Sequence, residues 1–545
     1  MMKRENRTML LLGAASIILL SLPFLVKGCG VFALFGLVPL LSMERLATFE
    51  GRKHFWWWHY GVFVLWNAVT TWWVCNATVG GGIFAVFANA LQMSLVFGSF
   101  RWVKRRLGGV LPYIFLAAAW IAWEKYYLTI AQISWPWLVL GNAFADTTSL
   151  VQWYEFTGHL GGSLWVWAAN LSVFGLMVSL SDGRFSAWGS KARIAAVSGL
   201  VAAVFGPMIW SLCIRPQEEG ESIRVVIAQP NLDPYEKFES LPQHEQTERL
   251  LSLLDKASYD GTPSLAVGPE TFTNDITTDR VPDSPTVRRF RSWLCQHPGA
   301  NLLFGASTYD RIISLAEPNP LAYRVGETMV DGLRKNIWVQ SHNSALILDS
   351  TDRYDLFHKS KLVVGVELTP YPKVFVPLEK LLGGNMMGKC MGQDHPTTLN
   401  FSASDLEFPL GCAVCYESVY GEYCTAYVRE GAQLMTVITN DAWWGNTPGY
   451  HQHLNYSRLR AIELRRDIAR CANTGISAII DKRGRVVEKT SWWEPAVLEG
   501  TVRLSERQTF FVRYGDIVGR IAVFVFVMLG LAAIVRSIGR KRNKN

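Results

Sequence analysis

Long apolar runs constrain this chain more than any other feature. A helix needs about 20 apolar residues to cross about 30 Å of hydrocarbon. Eight runs approach or reach that length, near residues 8–26, 29–46, 56–75, 79–100, 109–129, 160–181, 192–214 and 517–536. The first follows Lys3, Arg4 and Arg7, as a signal peptide would. It lacks a small-residue cleavage site and a second run follows closely, so it reads as a retained helix. Only 18% of residues are charged, against about 25% in soluble chains. A membrane protein with a sizeable soluble part is the expectation.

The formal net charge of +8 could suggest a nucleic-acid partner, but its placement excludes one. Basic residues stand at the ends of apolar runs: Lys3, Arg4 and Arg7; Arg45, Arg52 and Lys53; Lys104, Arg105 and Arg106; Arg184, Lys191 and Arg193; and the tail from Arg536 to Lys544. The alternate connections carry almost none. If every run spans, all five basic segments fall on one side, which positive charge marks as cytoplasmic. Residues 215–515 then lie on the opposite side. The expected organisation is a membrane domain over 1–214 with about seven helices, a soluble domain over 215–515, and a final helix with a basic tail over 516–545. Trp135, Trp137 and Trp153, in the connection 124–159, read either as an interfacial aromatic belt or as a loop shaping a lipid-side entrance.

From Ser222 onward the periodicity changes. SIRVVIAQPN, SLAVGPE, ANLLFGAST, GCAVCYE and LMTVITND read as buried strands, with helical segments at LPQHEQTERLLSLLDKAS, TVRRFRSWLCQH and 421–430. A hairpin is expected around Thr351-Asp352, a long helix over HLNYSRLRAIELRRDIARCAN, and a second hairpin over ISAIIDKRGRVVEKT. Strands alternating with helices imply a layered α/β core. Nine scattered cysteines do not form a disulfide framework, and neither Gly-rich phosphate-loop pattern occurs.

Glu270, Lys359 and Cys415 each stand just beyond such a strand, where rigid backbone opens side chains into a crevice. A carboxylate can take a thiol proton, and an ammonium can lower the thiol pKa and stabilise an oxyanion. The three suffice for acyl transfer through a thioester.

On GPET at 268–271, FHKSKLVVGVE at 357–367, CYES at 415–418 and NDAWWG at 440–445, in this order, the chain resembles the nitrilase superfamily. Within it, the resemblance is to the membrane branch of apolipoprotein N-acyltransferases, and it covers nearly the whole chain. It implies an αββα sandwich of two sheets, with Glu270 as general base and Cys415 as nucleophile, followed by Tyr416 and Glu417. It implies Lys359 rather than Lys361 as the catalytic lysine, because the family lysine lies eight residues before a second glutamate, here Glu367. Glu367 would orient Lys359, and Glu417 would be an ion-pair partner holding the loop after the nucleophile. Lys361 reads as a solvated or lid-contacting charge. The chain departs from the family at Val364-Gly365-Val366, commonly Pro-Phe-Gly, and at Phe238, often tryptophan. Phe238, Trp443, Phe375 and Leu378 are the candidate lipid contacts.

Cys415 admits two other readings. It could be a small core residue, since cysteines are often buried, but Glu270 and Lys359 in frame favour the nucleophile. Cys412-Ala-Val-Cys415 matches C-x-x-C, yet redox pairs of this kind sit at helix N-termini, and strand alternation would point these two thiols apart. Histidines 358, 395, 451 and 453 do not suggest a metal; His451 and His453 read as a helix or loop surface. Residues 366–400 form a long connection in which Phe375, Leu378, Leu381 and Leu382 share a helical face, followed by Gly383, Gly384, Met386 and Met387. It reads as a helix packed on the domain or as a lid whose apolar face meets the bilayer.

The resemblance implies a phospholipid acyl donor, a diacylglyceryl lipoprotein acceptor, no cofactor, and a bacterial inner membrane with the catalytic domain on its periplasmic side. The rivals are a membrane-tethered amidase, in which water resolves the acyl-enzyme, and a silent lipoprotein-binding scaffold.

Overall fold

The computed structural model describes residues 4–216, 220–381 and 387–542, and only the backbone of 4, 5, 238, 380, 541 and 542. The expected placements of the Phe238 side chain and of Leu382, Gly383, Gly384 and Met386 therefore lie outside the described residues. The chain forms two compact units. The first runs to Ala131, resumes over Trp135–Arg215 and ends with the segment from Tyr514; the second holds Gln132–Ser134 and Pro216–Arg513.

Among the described residues of the first unit, six helices are long and apolar enough to cross a membrane: Asn6–Leu25, Gly30–Phe49, Val79–Lys104, Tyr154–Ser181, Ser190–Cys213 and Ile517–Arg540. The runs read at 56–75 and 109–129 are helices Phe55–Thr71 and Leu111–Thr129, of 17 and 19 residues, which fall below that combined length and hydropathy. Leu111–Thr129 packs antiparallel to the last helix. Arg540 Nη1 donates to the Arg105 carbonyl at 2.8 Å, Phe115 meets Phe526 at 5.5 Å between ring centroids, and Lys125 lies 3.7 Å from Asp516.

The basic segments converge at one end of this unit. Lys104 Nζ is 2.5 Å from Glu44, Arg45 pairs with Asp182, Arg52 Nη1 donates to Asn6 at 2.7 Å, and the tail reaches the Arg105 carbonyl. Each contact joins two segments that positive charge alone assigned to a common side.

The interfacial belt expected of the connection 124–159 does not describe Trp137 and Trp153. Trp137 and Trp153 are buried. Trp135 stacks on Trp137 at 5.2 Å, Trp137 meets Trp73 at 5.0 Å, and Trp153 stacks on Trp210 at 5.8 Å. Their large apolar faces are spent on packing within the unit, so they form no surface belt.

Among its described residues the second unit has fourteen strands. In chain order they are β1 Ser222–Gln229, β2 Ser264–Val267, β3 Thr273–Thr277, β4 Ala300–Ser314, β5 Tyr323–Val330, β6 Leu333–Leu348, β7 Tyr354–His358, β8 Leu399–Ala403, β9 Leu406–Val414, β10 Leu434–Thr439, β11 Ile468–Ala472, β12 Ala478–Ile480, β13 Val486–Lys489 and β14 Ala496–Arg503. One sheet has the order β14-β1-β2-β4-β6-β5, with β3 on β4 and β7 on β6; the other runs β13-β12-β11-β10-β9-β8. β1, β2 and β4 are mutually parallel, as are β9, β10 and β11.

Strand alternation explains the layering. On β1, Ile223, Val225 and Ile227 pack into one core with Leu410, Cys412 and Val437 of the other sheet. Val226 and Ala228 turn the other way, toward Leu250 and Leu254 of helix Gln243–Leu254 and Phe290 of helix Pro285–Leu294. Helices Gly421–Arg429 and Pro448–Leu464 bring Tyr427, Val428, Leu454 and Ala461 against the second sheet. The result is helix, sheet, sheet, helix, the expected sandwich.

Several elements depart from the expected set. The helix over 453–473 stops at Leu464, where Arg465 takes a left-handed φ of 50°. Ile468–Ala472 is instead β11, the centre of the second sheet. Buried strand pairing on β10 overrides the helical propensity of RRDIARCA. β14, which pairs along all of β1, had no counterpart among the expected elements.

Ile227 is fully buried between the sheets, whereas Val487 is 62% exposed. Ile227→Ala should cost about 2–5 kcal/mol and lower the midpoint of thermal unfolding followed by tryptophan fluorescence, with Val487→Ala leaving it unchanged.

Candidate active site

Glu270 follows β2 through Gly268 and Pro269, and the Gly305 amide on β4 donates to the Pro269 carbonyl at 3.0 Å. Gly305 is required there, because a Cβ would stand 2.6 Å from the Glu270 Cα. The carboxylate itself is buried. Its Oε1 accepts from Lys359 Nζ at 3.0 Å and Asn343 Nδ2 at 2.8 Å, and its Oε2 accepts from the Asn440 amide at 3.1 Å.

Lys359 stands one residue past β7 and is 1% exposed. Its Nζ donates to Glu270 and to Glu367, each at 3.0 Å. Burial by itself would lower its pKa, but the charges of Glu270 and Glu367 outweigh burial and hold it well above the ordinary lysine value. The ammonium therefore keeps its charge. Glu367 Oε2 accepts from the Val363 amide at 2.8 Å, which fixes the second carboxylate.

Asn343, on β6, was not among the expected residues. Its Nδ2 donates to Glu270 at 2.8 Å and Glu367 at 2.6 Å, and its carbonyl accepts from the Lys359 amide at 2.8 Å. Two carboxylates drawn to one ammonium repel each other, and a neutral double donor between them stabilises both. Nothing in the local pattern NSALILD distinguishes this asparagine from a strand-edge residue.

Cys415 is the first residue after β9 and takes a left-handed φ of 52°, a conformation uncommon outside glycine and frequent at functional turns. Its thiol is pushed well above the usual value, first by burial, then by the charges of Glu270 and Asp441, with Lys359 pulling the other way. The lowering expected from the lysine is present but outweighed, so the resting group is a protonated thiol. Cys412, three residues earlier, is fully buried in the inter-sheet core, and all nine cysteines are unpaired.

Among the described residues, Glu417 is held by hydrogen bonds in place of the expected ion pair. Its Oε1 accepts from the Ser360 and Lys361 amides at 2.7 and 3.1 Å and from the Tyr423 hydroxyl at 2.6 Å; its Oε2 accepts from the Val414 amide at 2.8 Å. It thus binds the loop after Lys359 to the loop around Cys415 through the backbone. The Tyr416 hydroxyl donates to the Ser134 carbonyl at 3.1 Å. Lys361 is half-buried, its Nζ 5.5 Å from the Tyr420 ring centre and 5.9 Å from that of Tyr423; it is a cation over aromatic faces rather than a solvated charge.

Trp443 lies in the turn after β10 and meets Tyr235 edge-on at 5.7 Å. Phe375 and Leu378 lie on helix Pro372–Leu381, which buries Val376 and leaves Leu378 44% exposed. His453 is fully buried, a correction to its expected surface position, whereas His451 is exposed.

Two described groups bring three potential ligand atoms within 4.8 Å of one another: Cys415, Asp441 and His453, and Asp310, His342 and His358. In the first, the Arg470 guanidinium lies 2.7 Å from Asp441 and opposes a cation. In the second, His342 Nδ1 donates to the Met391 carbonyl at 2.8 Å, Nε2 faces Asp310 at 3.1 Å, and the ring stacks on His358 at 4.0 Å. Pairing across β4, β6 and β7 creates this group, and no spacing in the chain announces it.

The family model described as carbon-nitrogen hydrolase matches residues 296–510, and that described as apolipoprotein N-acyltransferase N-terminal domain matches 16–172. An apolipoprotein N-acyltransferase of Chlorobaculum tepidum is 30% identical over 92% of this chain and 91% of its own. One of Geobacter metallireducens is 26% identical over 87% of this chain and 83% of its own. Among solved structures, Nit3 of Saccharomyces cerevisiae, a member of branch 10 of the nitrilase superfamily, is 14% identical, with 56% of this chain and 97% of Nit3 covered and a TM-score of 0.36.

Glu270→Gln removes a negative neighbour of Cys415, so alkylation of Cys415 by iodoacetamide should set in at lower pH than in the wild type, read from intact mass against time across a pH series.

Proposed function

The chain belongs to the apolipoprotein N-acyltransferase family, and from that premise we propose a ping-pong transfer carried by Cys415. One acyl chain passes from a membrane phospholipid to the thiol, and then to the α-amino group of S-diacylglyceryl-cysteine at a lipoprotein N-terminus. The carrying observation is the Lys359 ammonium shared at 3.0 Å between Glu270 and Glu367, with the Cys415 thiol near enough to feel both Glu270 and Lys359.

Each group has a distinct task. Glu270 takes the thiol proton as sulfur attacks the ester carbonyl carbon, so the raised resting pKa of the thiol is overcome only in the transition state. The C=O π bond breaks to an oxyanion, and the Lys359 ammonium, which Glu270 and Glu367 keep charged against burial, offsets it together with the Tyr416 N–H. Collapse breaks the ester C–O bond, Glu270 returns the proton, and lysophospholipid leaves. The α-amino group then attacks the thioester, Glu270 accepts its proton, and the thiol is regenerated. A hydrolytic relative would use water at this last step.

The protein is a multi-pass bacterial membrane protein, and the reading places its catalytic unit on the periplasmic side of the inner membrane, with eight helices crossing. The meeting of all the basic segments supports that orientation. The helix Pro372–Leu381 supports a lid reading of 366–400. On that helix Val374, Leu378 and Leu381 recur at spacings of four and three residues and are 63, 44 and 82% exposed. Such a stripe on a short amphipathic helix suits the acyl boundary of a bilayer.

Wild-type protein incubated with phospholipid alone should gain one acyl chain on Cys415, and a diacylglyceryl-cysteine peptide should discharge it as N-acyl product. Discharge by water at an equal rate would favour an amidase, and no adduct would remove the nucleophile. For the lid, Val374→Glu with Leu381→Glu should lower acylation from bilayer phospholipid about tenfold more than acylation from a short-chain soluble ester.

A further inference from the structure

A second set of buried polar side chains converges on the Cys415 backbone, outside the Glu270, Lys359 and Cys415 group. Arg470 on β11, Asp441 after β10 and His453 on helix Pro448–Leu464 are all fully buried, as is Ser418. Arg470 Nη2 donates to Asp441 Oδ2 at 2.7 Å, and Thr439 donates to Asp441 Oδ1 at 2.7 Å. His453 Nδ1 lies 2.9 Å from that same Oδ1 and 3.2 Å from Arg470. At the far side of the ring, Nε2 donates to the Cys415 carbonyl at 3.0 Å and lies 3.0 Å from Ser418 Oγ, which itself donates to the same carbonyl at 2.8 Å.

Three ionisable groups and a hydroxyl are a costly way to fill a protein interior, since apolar side chains of similar volume are often as stable. What this set accomplishes beyond filling space is specific. It ends on the carbonyl of the one residue that carries the thiol, at a left-handed φ that its surroundings must impose. A trans peptide is planar, with C=O and N–H on opposite sides. Holding the Cys415 oxygen toward His453 and Ser418 therefore turns the Tyr416 N–H away from them and fixes its direction.

We propose that His453, oriented by Asp441 and Arg470, is a positioning residue for acyl transfer: it clamps the Cys415 carbonyl and thereby aims the Tyr416 N–H at the developing oxyanion. This rests on the thioester reading above. His453 touches no reacting atom; it acts through the peptide plane. Asp441 stands in NDAWWG and His453 in the helix eight residues beyond that motif, so the pairing joins segments separated by a turn and two helical turns.

The test is single-turnover acylation of Cys415 from phospholipid in detergent-purified, full-length protein, read as intact mass, with iodoacetamide alkylation of the same thiol as a parallel measurement. His453→Leu should slow acylation about 10²-fold, the typical cost of misplacing one oxyanion donor. The phospholipid concentration giving half-maximal rate should stay unchanged, and alkylation should change by less than about threefold, because alkylation develops no oxyanion. His453→Gln, whose amide N–H reaches about as far as Nε2, should recover most of the acylation rate. Should His453→Leu fail to fold, Ser418→Ala removes the second donor to the same carbonyl and should show the same split at about tenfold. Wild-type acylation in the Leu variant, a loss that Gln does not recover, or a parallel loss of alkylation would each overturn the positioning role. A wild-type protein that forms no thioester would instead overturn the acyl-transfer reading beneath it, so the two failures are distinguishable.

Discussion

A single buried ammonium organises the catalytic unit. Lys359 is almost wholly removed from water, which no lysine tolerates without compensation. Its compensation comes from Glu270, at the end of a strand in the same sheet, and Glu367, eight residues along the chain, with Asn343 bridging the carboxylates. Removing one partner of such a cluster typically costs about 3–5 kcal/mol, so the group is all or nothing. The geometry that satisfies the lysine is also the geometry that holds a proton acceptor and a cation beside the thiol.

Two further constraints bring the thiol to that cluster. Glu417 ties the amides of Ser360 and Lys361 to the Val414 amide, so the lysine loop from one sheet and the Cys415 loop from the other are fixed to a common carboxylate. His453 and Ser418 hold the Cys415 carbonyl. Both devices bind backbone, which suits groups whose task is to place a turn. The raised thiol pKa follows from the same crowding: burial and two neighbouring carboxylates outweigh one ammonium. A thiol protonated at rest is protected from adventitious alkylation and oxidation, since the thiolate is the reactive form.

The membrane unit applies the same economy to different groups. Trp135 stacks on Trp137 and Trp153 on Trp210, and polar residues in its helices meet across them, as where Asn89 donates to Asn67 at 2.7 Å. In hydrocarbon, apolar contact alone gives helices little preference for one another, so interlocked rings and interhelical hydrogen bonds specify the packing. Basic residues at the helix ends find carboxylates or carbonyls of neighbouring segments, which joins the topology signal to the structure.

Periodicity along the chain carried the apolar runs, most of the strands and the order of the motifs, because each of these is a property of consecutive residues. Glu270, Lys359 and Cys415 were legible as residues beyond strand ends, and the resemblance singled out Lys359 over Lys361. The remainder depended on which segments face one another. Asn343 became part of the site only when β6 was placed beside β7. His453 became interior only when its helix packed on the nucleophile turn. Residues 468–472 became a strand because a buried edge of β10 was there to pair with, against their own helical preference. Burial of Trp137 and exposure of Leu378 likewise reflect neighbours distant in the chain. Local sequence records which face of an element is apolar; which groups that face meets is set by contacts between segments far apart, and the chemistry of the site is made of those contacts.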